Sequence, residues 1–112
     1  LLLADSIVEA QAAALLRPDV ITAEPSELIG SGQATQDLGY IQKSIDAIHS
    51  VSPSTYVLIG AGISTGGDVY RVIREGADAS GSSSAVALAP DQEALVNEML
   101  QAARQAWDET HT

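Results

Sequence analysis

A chain of 112 residues is long enough for one modest hydrophobic core, and residues 1–112 read as a single piece. Its formal charge of −10 argues against nucleic acid and anionic membrane surfaces as partners. With only five Lys and Arg, any phosphate site has to be built locally, from backbone amides and helix N-termini.

Other counts narrow the classes further. Cysteine is absent, so a disulfide framework and a thiolate metal site are both excluded. The two histidines, His49 and His111, have no second histidine or cysteine near them in sequence. No metal and no cofactor is therefore expected. Phenylalanine is absent and tryptophan occurs once, which predicts an aliphatic, alanine-rich core. The apolar runs fall far short of a membrane span, and Leu1 to Ala4 is too short and lacks the basic flank of a signal peptide. A soluble cytoplasmic protein is the expectation. Opening on Leu1, already in a strand-like run, predicts a fragment, a processed product or the second part of something larger.

In chain order, Leu1 to Ala4 reads as a strand that exits at Asp5 and Ser6. Ser6 and Glu9 have capping-box spacing ahead of a helix to about Leu16, with Val8, Ala12 and Leu15 on one face. Arg17, Pro18 and Asp19 break it. The β-branched run from Val20 leads to Glu24, which Pro25 pushes into extended backbone at the strand's end. A loop with Gly30 and Gly32 follows, then a polar stretch from Gln33 to Asp37 and a helix with Ile41, Ile45 and Ile48 at helical spacing.

After a loop from Ser50 to Thr55, Tyr56 to Ile59 reads as a third strand. It enters Gly60-Ala61-Gly62-Ile63-Ser64, and Thr65 with Asp68 forms a second capping box. Val69, Val72 and Ile73 make the next helical stripe, which Gly76 closes as a left-handed cap. Ala77 to Ser84 is the expected fourth strand, poor in β-branched residues. Ala89-Pro90-Asp91 starts the last helix, whose stripe is Leu95, Met99, Ala102 and Ala106, widened by Val96, Leu100, Ala103 and Trp107. Asp46, Glu93, Glu98 and Asp108 read as solvated helix faces. Strands alternating with amphipathic helices predict an α/β fold with a parallel sheet, and ligands at its carboxyl edge.

Three loops fall at that edge. Glu24 followed by a glycine-punctuated loop is the pattern of a general base beneath a closing lid; a solvated strand-end acid before an ordinary turn is the alternative. Gly60 to Ser64 lies between a strand and a capped helix, so its amides can face an anion. Ser82, Ser83 and Ser84 offer small residues and hydroxyls. Gly60, Gly62 and Gly66 with Asp78 downstream also sketch a dinucleotide fingerprint, but as GxGxxxG in mid-domain, which is a weak signal.

The run Ala23-Glu24-Pro25-Ser26-Glu27-Leu28-Ile29-Gly30-Ser31-Gly32 resembles the catalytic glutamate and lid of archaeal-type triosephosphate isomerases. Gly60-Ala-Gly-Ile-Ser-Thr-Gly66 with Asp68-Val69 is similar to the same family's next phosphate loop, and the match runs in order over most of the chain. The resemblance implies the last four β-α units of a TIM (β/α)8 barrel, a half-barrel. It implies Glu24 as the base that moves a proton between the two carbons flanking a triose-phosphate carbonyl. Pro25, Gly30, Ser31 and Gly32 would belong to the lid. Backbone and hydroxyl groups at Ile29, Gly30, Gly62, Ser64, Ser83 and Ser84 would hold the phosphate.

The same resemblance implies what is missing. The family's electrophilic histidine and lysine belong to the first four units, and neither His49 nor His111 stands at a strand terminus; each reads as an exposed surface residue. A half-barrel also leaves two open strand edges and an apolar interior. The isolated chain is expected to be inactive, and to pair with a complementary amino-terminal half or with itself. The family usually has aliphatic residues where Ser80, Gly81 and Ser82 stand, and Ser-Gly where Ser84-Ala85 stand. Those departures leave open an isomerase of another short sugar phosphate, such as a tetrose phosphate. A phosphate-binding or assembly module without catalysis is the reading from a different class.

Overall fold

A computed structural model of the chain describes residues 1–24 and 38–112. Four parallel strands, β1 (Leu2–Ala4), β2 (Val20–Ala23), β3 (Tyr56–Ile59) and β4 (Ala79–Ser80), form one sheet in the order β1-β2-β3-β4. The helices are α1 (Ile7–Ala14), α2 (Leu38–His49), α3 (Gly66–Arg74), the short α4 (Ser84–Ala87) and α5 (Gln92–Thr110). The expected alternation of strands and helices is therefore present. Among the described residues, no helix is long and apolar enough to cross a membrane.

One face of the sheet is packed. Ile21 and Ala23 of β2 and Val57 and Ile59 of β3 are buried with the helical stripes the sequence predicts, Ile41, Ile45 and Ile48 on α2 and Val69, Val72 and Ile73 on α3. Alternation along each strand sends Leu3, Val20, Thr22, Tyr56 and Leu58 to the opposite face. There Leu3 is 73% exposed and Tyr56 60% exposed, although Thr22 is buried.

The expected face of α1 is not the buried one. Val8 and Leu15 are 77% and 71% exposed, while Ala10 and Ala14 are fully buried. A methyl side chain lets the helix lie close to the sheet, so the alanines take the contact and the larger residues point outward. Ser6 caps the helix by accepting from the Glu9 amide at 3.1 Å. The Glu9 carboxylate reaches the Asp5 amide at 2.8 Å, so the reciprocal half of the box falls one residue earlier than spacing predicts. Arg17, at φ +49°, turns the chain out of the helix.

The carboxyl-terminal third departs from expectation as well. Only Ala79 and Ser80 of the expected Ala77–Ser84 strand join the ladder. Ser84 opens a helix instead. The last helix begins at Gln92, because Asp91, not Pro90, supplies the cap: its side chain accepts from the Ala94 amide at 3.0 Å. On α5 the narrow stripe faces inward, with Ala106 fully buried and Met99 and Ala102 packed against the core. The widening residues Val96, Leu100 and Trp107 remain exposed.

Candidate functional site

Parallel strands put every strand exit at one edge of the sheet, and the register fixes which residues meet there. Thr22 pairs with Leu58, and Leu58 with Ala79. Two residues on, past the end of each strand, the same row reads Glu24, Gly60, Gly81. Alternation points all three to the face that the helices do not cover. The Glu24 amide extends the ladder by donating to the Ala4 carbonyl at 2.9 Å.

The Glu24 side chain crosses this row. A Cβ on Gly60 would lie 2.7 Å from Glu24 Oε1, 3.3 Å from the Gly81 carbonyl oxygen and 3.4 Å from Leu58 Cδ2. Glycine at position 60 is thus what lets the carboxylate lie across the end of β3. Glycine at position 62 has a different cause, a backbone φ of +74° that L side chains rarely adopt.

Gly66 has a third cause. Its Cβ would meet Glu98 Cγ at 2.7 Å and the Glu98 carbonyl oxygen at 3.1 Å, and its amide donates to Glu98 Oε2 at 3.0 Å. Glu98 is therefore not merely a solvated acid. It satisfies an amide at the start of α3, where the helix dipole favours negative charge, and holds α5 against that end.

Three glycines with three separate reasons do not make a dinucleotide fingerprint. Asp78 confirms the point: its carboxylate accepts from the Val57 amide at 2.9 Å, at the amino end of the strands.

Around the Gly60–Ser64 loop the second capping box forms in full, with Thr65 Oγ1 accepting from the Asp68 amide at 3.1 Å. Asp68 Oδ2 accepts from the amides of Ser64 and Thr65 at 3.0 and 3.1 Å. The Ser64 amide, one of the groups expected at a phosphate, is thus engaged by a carboxylate. Two hydroxyls tie the neighbouring exit to this loop, Ser80 Oγ donating to the Ile59 carbonyl at 2.9 Å and Ser82 Oγ to the Ile63 carbonyl at 2.8 Å. Ser83 and Ser84 follow directly, at the start of α4. Pro25, Ile29, Gly30, Ser31 and Gly32 lie outside the described residues.

Neither histidine reaches this edge. His49 Nε2 contacts the Thr55 carbonyl oxygen at 3.0 Å, beside the amino end of β3, and its ring is half-buried, not exposed as expected. His111, in the exposed tail, stacks on Trp107 with ring centroids 3.5 Å apart. Among the described residues no group of His, Asp and Glu is arranged to hold a metal ion.

The order of strand, acid, glycine loop and serine loop can be compared with known families. A family model described as triosephosphate isomerase matches residues 3–99. The chain belongs to the triosephosphate isomerase family. A triosephosphate isomerase of Sulfurisphaera tokodaii is 40% identical over 107 residues, covering 94% of this chain and 46% of that protein. One from Methanoculleus marisnigri is 41% identical over 91 residues, covering 80% of this chain and 41% of the relative. One from Methanobacterium bryantii is 39% identical over 89 residues, covering 78% of this chain and 39% of the relative. The chain thus spans a little under half the length of the triosephosphate isomerases it matches. A chain in the crystal structure of the Amycolatopsis orientalis BexX/CysO complex superposes with a TM-score of 0.74 over 98% of this chain and 43% of that one, at 20% identity, a likeness of fold alone.

Proposed function

We propose that this chain supplies the carboxyl-terminal half of a triosephosphate isomerase, the last four units of a TIM (β/α)8 barrel. It would interconvert glyceraldehyde 3-phosphate and dihydroxyacetone phosphate. The observation that carries the reading is the row Glu24–Gly60–Gly81. One carboxylate lies across glycines at the carboxyl edge of a parallel sheet, where α/β proteins bind their ligands. Membership of the family supports reading that carboxylate as the base.

Glu24 takes the proton from one carbon beside the substrate carbonyl and returns it to the other, passing through an enediolate. Gly60 keeps the carboxylate's path clear. Amides at Gly62 and at Ser83 and Ser84 face the phosphate dianion, with Ile29 and Gly30 adding groups from the lid; Ser64, whose amide Asp68 holds, is left to contribute its hydroxyl. Closure of the lid, with Pro25, Gly30, Ser31 and Gly32, excludes water and so disfavours loss of phosphate from the enediolate. No step calls for a cofactor or a metal.

The electrophilic histidine and lysine of the family come from the first four units, so activity depends on a complementary amino-terminal half. The exposed Leu3 and Tyr56 are what an unfilled barrel interior would present. A cytoplasmic role in glycolysis and gluconeogenesis accompanies this reading.

A second reading has one observation behind it. A Cβ on Gly81 would find nothing nearer than Leu58 Cδ2 at 4.0 Å. Among the described residues, that leaves space at the end of β4, which suits an isomerase of a longer substrate, such as a tetrose phosphate. An isomerisation assay with glyceraldehyde 3-phosphate and with tetrose phosphates, with and without the amino-terminal half, tests both. Preferential turnover of the triose supports the first reading and preferential turnover of a tetrose the second. Phosphate binding without turnover of either, once the half-barrels are joined, would reduce the chain to a binding or assembly module.

A further inference from the structure

We propose that Ser82 is a positioning residue, whose hydroxyl sets the distance between the loops leaving β3 and β4 and thereby shapes the phosphate subsite. The inference rests on the isomerase reading above for the identity of that subsite, and on the hydrogen bonds alone for the mechanical link.

The β3–β4 ladder is short. It ends at the pair Ile59–Ser80, and among the described residues the segment beyond it has no strand partner. Two serine hydroxyls replace the missing ladder, and they differ in what they hold. Ser80 grips the Ile59 carbonyl, the last of β3, where the ladder already fixes the spacing. Ser82 grips the Ile63 carbonyl, deep in the loop.

The peptide unit joining Ile63 to Ser64 is consequently held at both ends. Its carbonyl accepts from Ser82 at 2.8 Å, and its N–H donates to Asp68 Oδ2 at 3.0 Å. On one side of this peptide stands Gly62 with its positive φ, and on the other the capped start of α3. The Ile63 side chain is buried, which anchors the loop from below. On the partner strand, Ser82 immediately precedes Ser83 and Ser84. One hydroxyl thus ties together the two segments whose amides face the phosphate. An aliphatic residue at position 82 has no donor to offer the Ile63 carbonyl.

The test uses the chain assembled with its amino-terminal half. Ser82→Ala removes the hydroxyl, Ser82→Thr keeps one, and Ser80→Ala removes the comparable bond inside the ladder. Expected for Ser82→Ala is a KM for triose phosphate, and a competitive inhibition constant for inorganic phosphate, each raised about three- to tenfold, the range one hydrogen bond carries. The kcat should stay within about twofold, since the bond acts on phosphate held alike in ground and transition states. Ser82→Thr should restore both constants, and Ser80→Ala should lower the urea midpoint without changing either. Equal KM values in wild type, Ser82→Ala and Ser80→Ala would overturn the inference while leaving the isomerase reading intact. Failure of inorganic phosphate to compete in the wild-type assembly would overturn the phosphate site itself. If Ser82→Ala does not fold, phosphate inhibition of Ser82→Thr against Ser82→Val decides the matter by the same criterion.

Discussion

Glu24 Oε1 lies 2.7 Å from the point that a Cβ on Gly60 would occupy, so the carboxylate and the glycine are fitted to one another. No real Cβ contact is that close. Gly60→Ala must therefore displace the end of the Glu24 side chain, which is flexible, while the Gly81 carbonyl, 3.3 Å from the new Cβ, needs only a small shift. The expected result is a split between stability and activity. The urea midpoint should correspond to a loss below about 1 kcal/mol, while kcat of the assembled enzyme falls by at least about tenfold, because roughly 1 Å of misplacement can cost a hundredfold. Parallel denaturation and steady-state kinetics measure both.

Gly66 and Glu98 predict the reverse. Here the added Cβ would meet Glu98 Cγ at 2.7 Å and the Glu98 carbonyl oxygen at 3.1 Å, so α5 has to back away from α3. Gly66→Ala should cost about 1–3 kcal/mol, as overpacking does. Glu98→Ala leaves the Gly66 amide without its carboxylate and should cost about 1 kcal/mol, as loss of a helix cap does. The double variant should be less damaged than the sum, since removing the side chain relieves the closer clash. A double-mutant cycle on urea midpoints checks this.

A third expectation concerns pH. Glu109 accepts from the Tyr70 hydroxyl at 2.6 Å and from Arg74 at 2.9 Å. The Tyr70 bond above all, then that of the Gln105 amide, holds its carboxyl below the ordinary value, with Arg74 adding to the effect. A carboxyl that titrates lower in the folded chain than in the unfolded one stabilises the fold at neutral pH. That contribution disappears as pH falls through the folded-state value. The same bond raises the Tyr70 phenol, so on the alkaline side the contribution lasts until pH climbs through the raised value. Urea midpoints of wild type and Glu109→Gln should therefore diverge at neutral pH and converge in acid. Parallel curves across the acid range would remove the link from the stability of the α3–α5 pair.

The alternation of strands and helices was legible because α2 and α3 carry large isoleucine and valine side chains at helical spacing, and these are the residues that are buried. On α1 the same logic misled. Alanine packs closer than leucine, so Ala10 and Ala14 took the contact and Val8 and Leu15 were left in solvent. The end of β4 was illegible for another reason: serines carry no apolar pattern, and the carbonyls that Ser80 and Ser82 bind lie 21 and 19 residues away. Glu98 was likewise hidden, since its partner is 32 residues distant. At the candidate site, sequence put Glu24 and Gly60 each at a strand exit. Only the register made them neighbours. The expected lid positions, Pro25, Gly30, Ser31 and Gly32, lie outside the described residues.

The exposed apolar residues make a prediction about assembly. Leu3 and Tyr56 on the sheet face opposite the helices, Val8 and Leu15 on α1, and the edge position of β1 among the described strands all favour association. Sedimentation of the isolated 112-residue chain should show an oligomer or complex, and Leu3→Lys with Tyr56→Lys should shift it toward smaller species. A well-folded monomer of the unmodified chain would contradict the edge-strand argument.

In the proposed mechanism Glu24 moves the proton. The most direct measurement is turnover of glyceraldehyde 3-phosphate by the assembled enzyme carrying Glu24→Gln, together with its affinity for inorganic phosphate. In that variant kcat should fall by orders of magnitude while phosphate affinity changes little, because the amide keeps the shape of the carboxylate and cannot accept the proton. Turnover at the wild-type rate in that variant would contradict it.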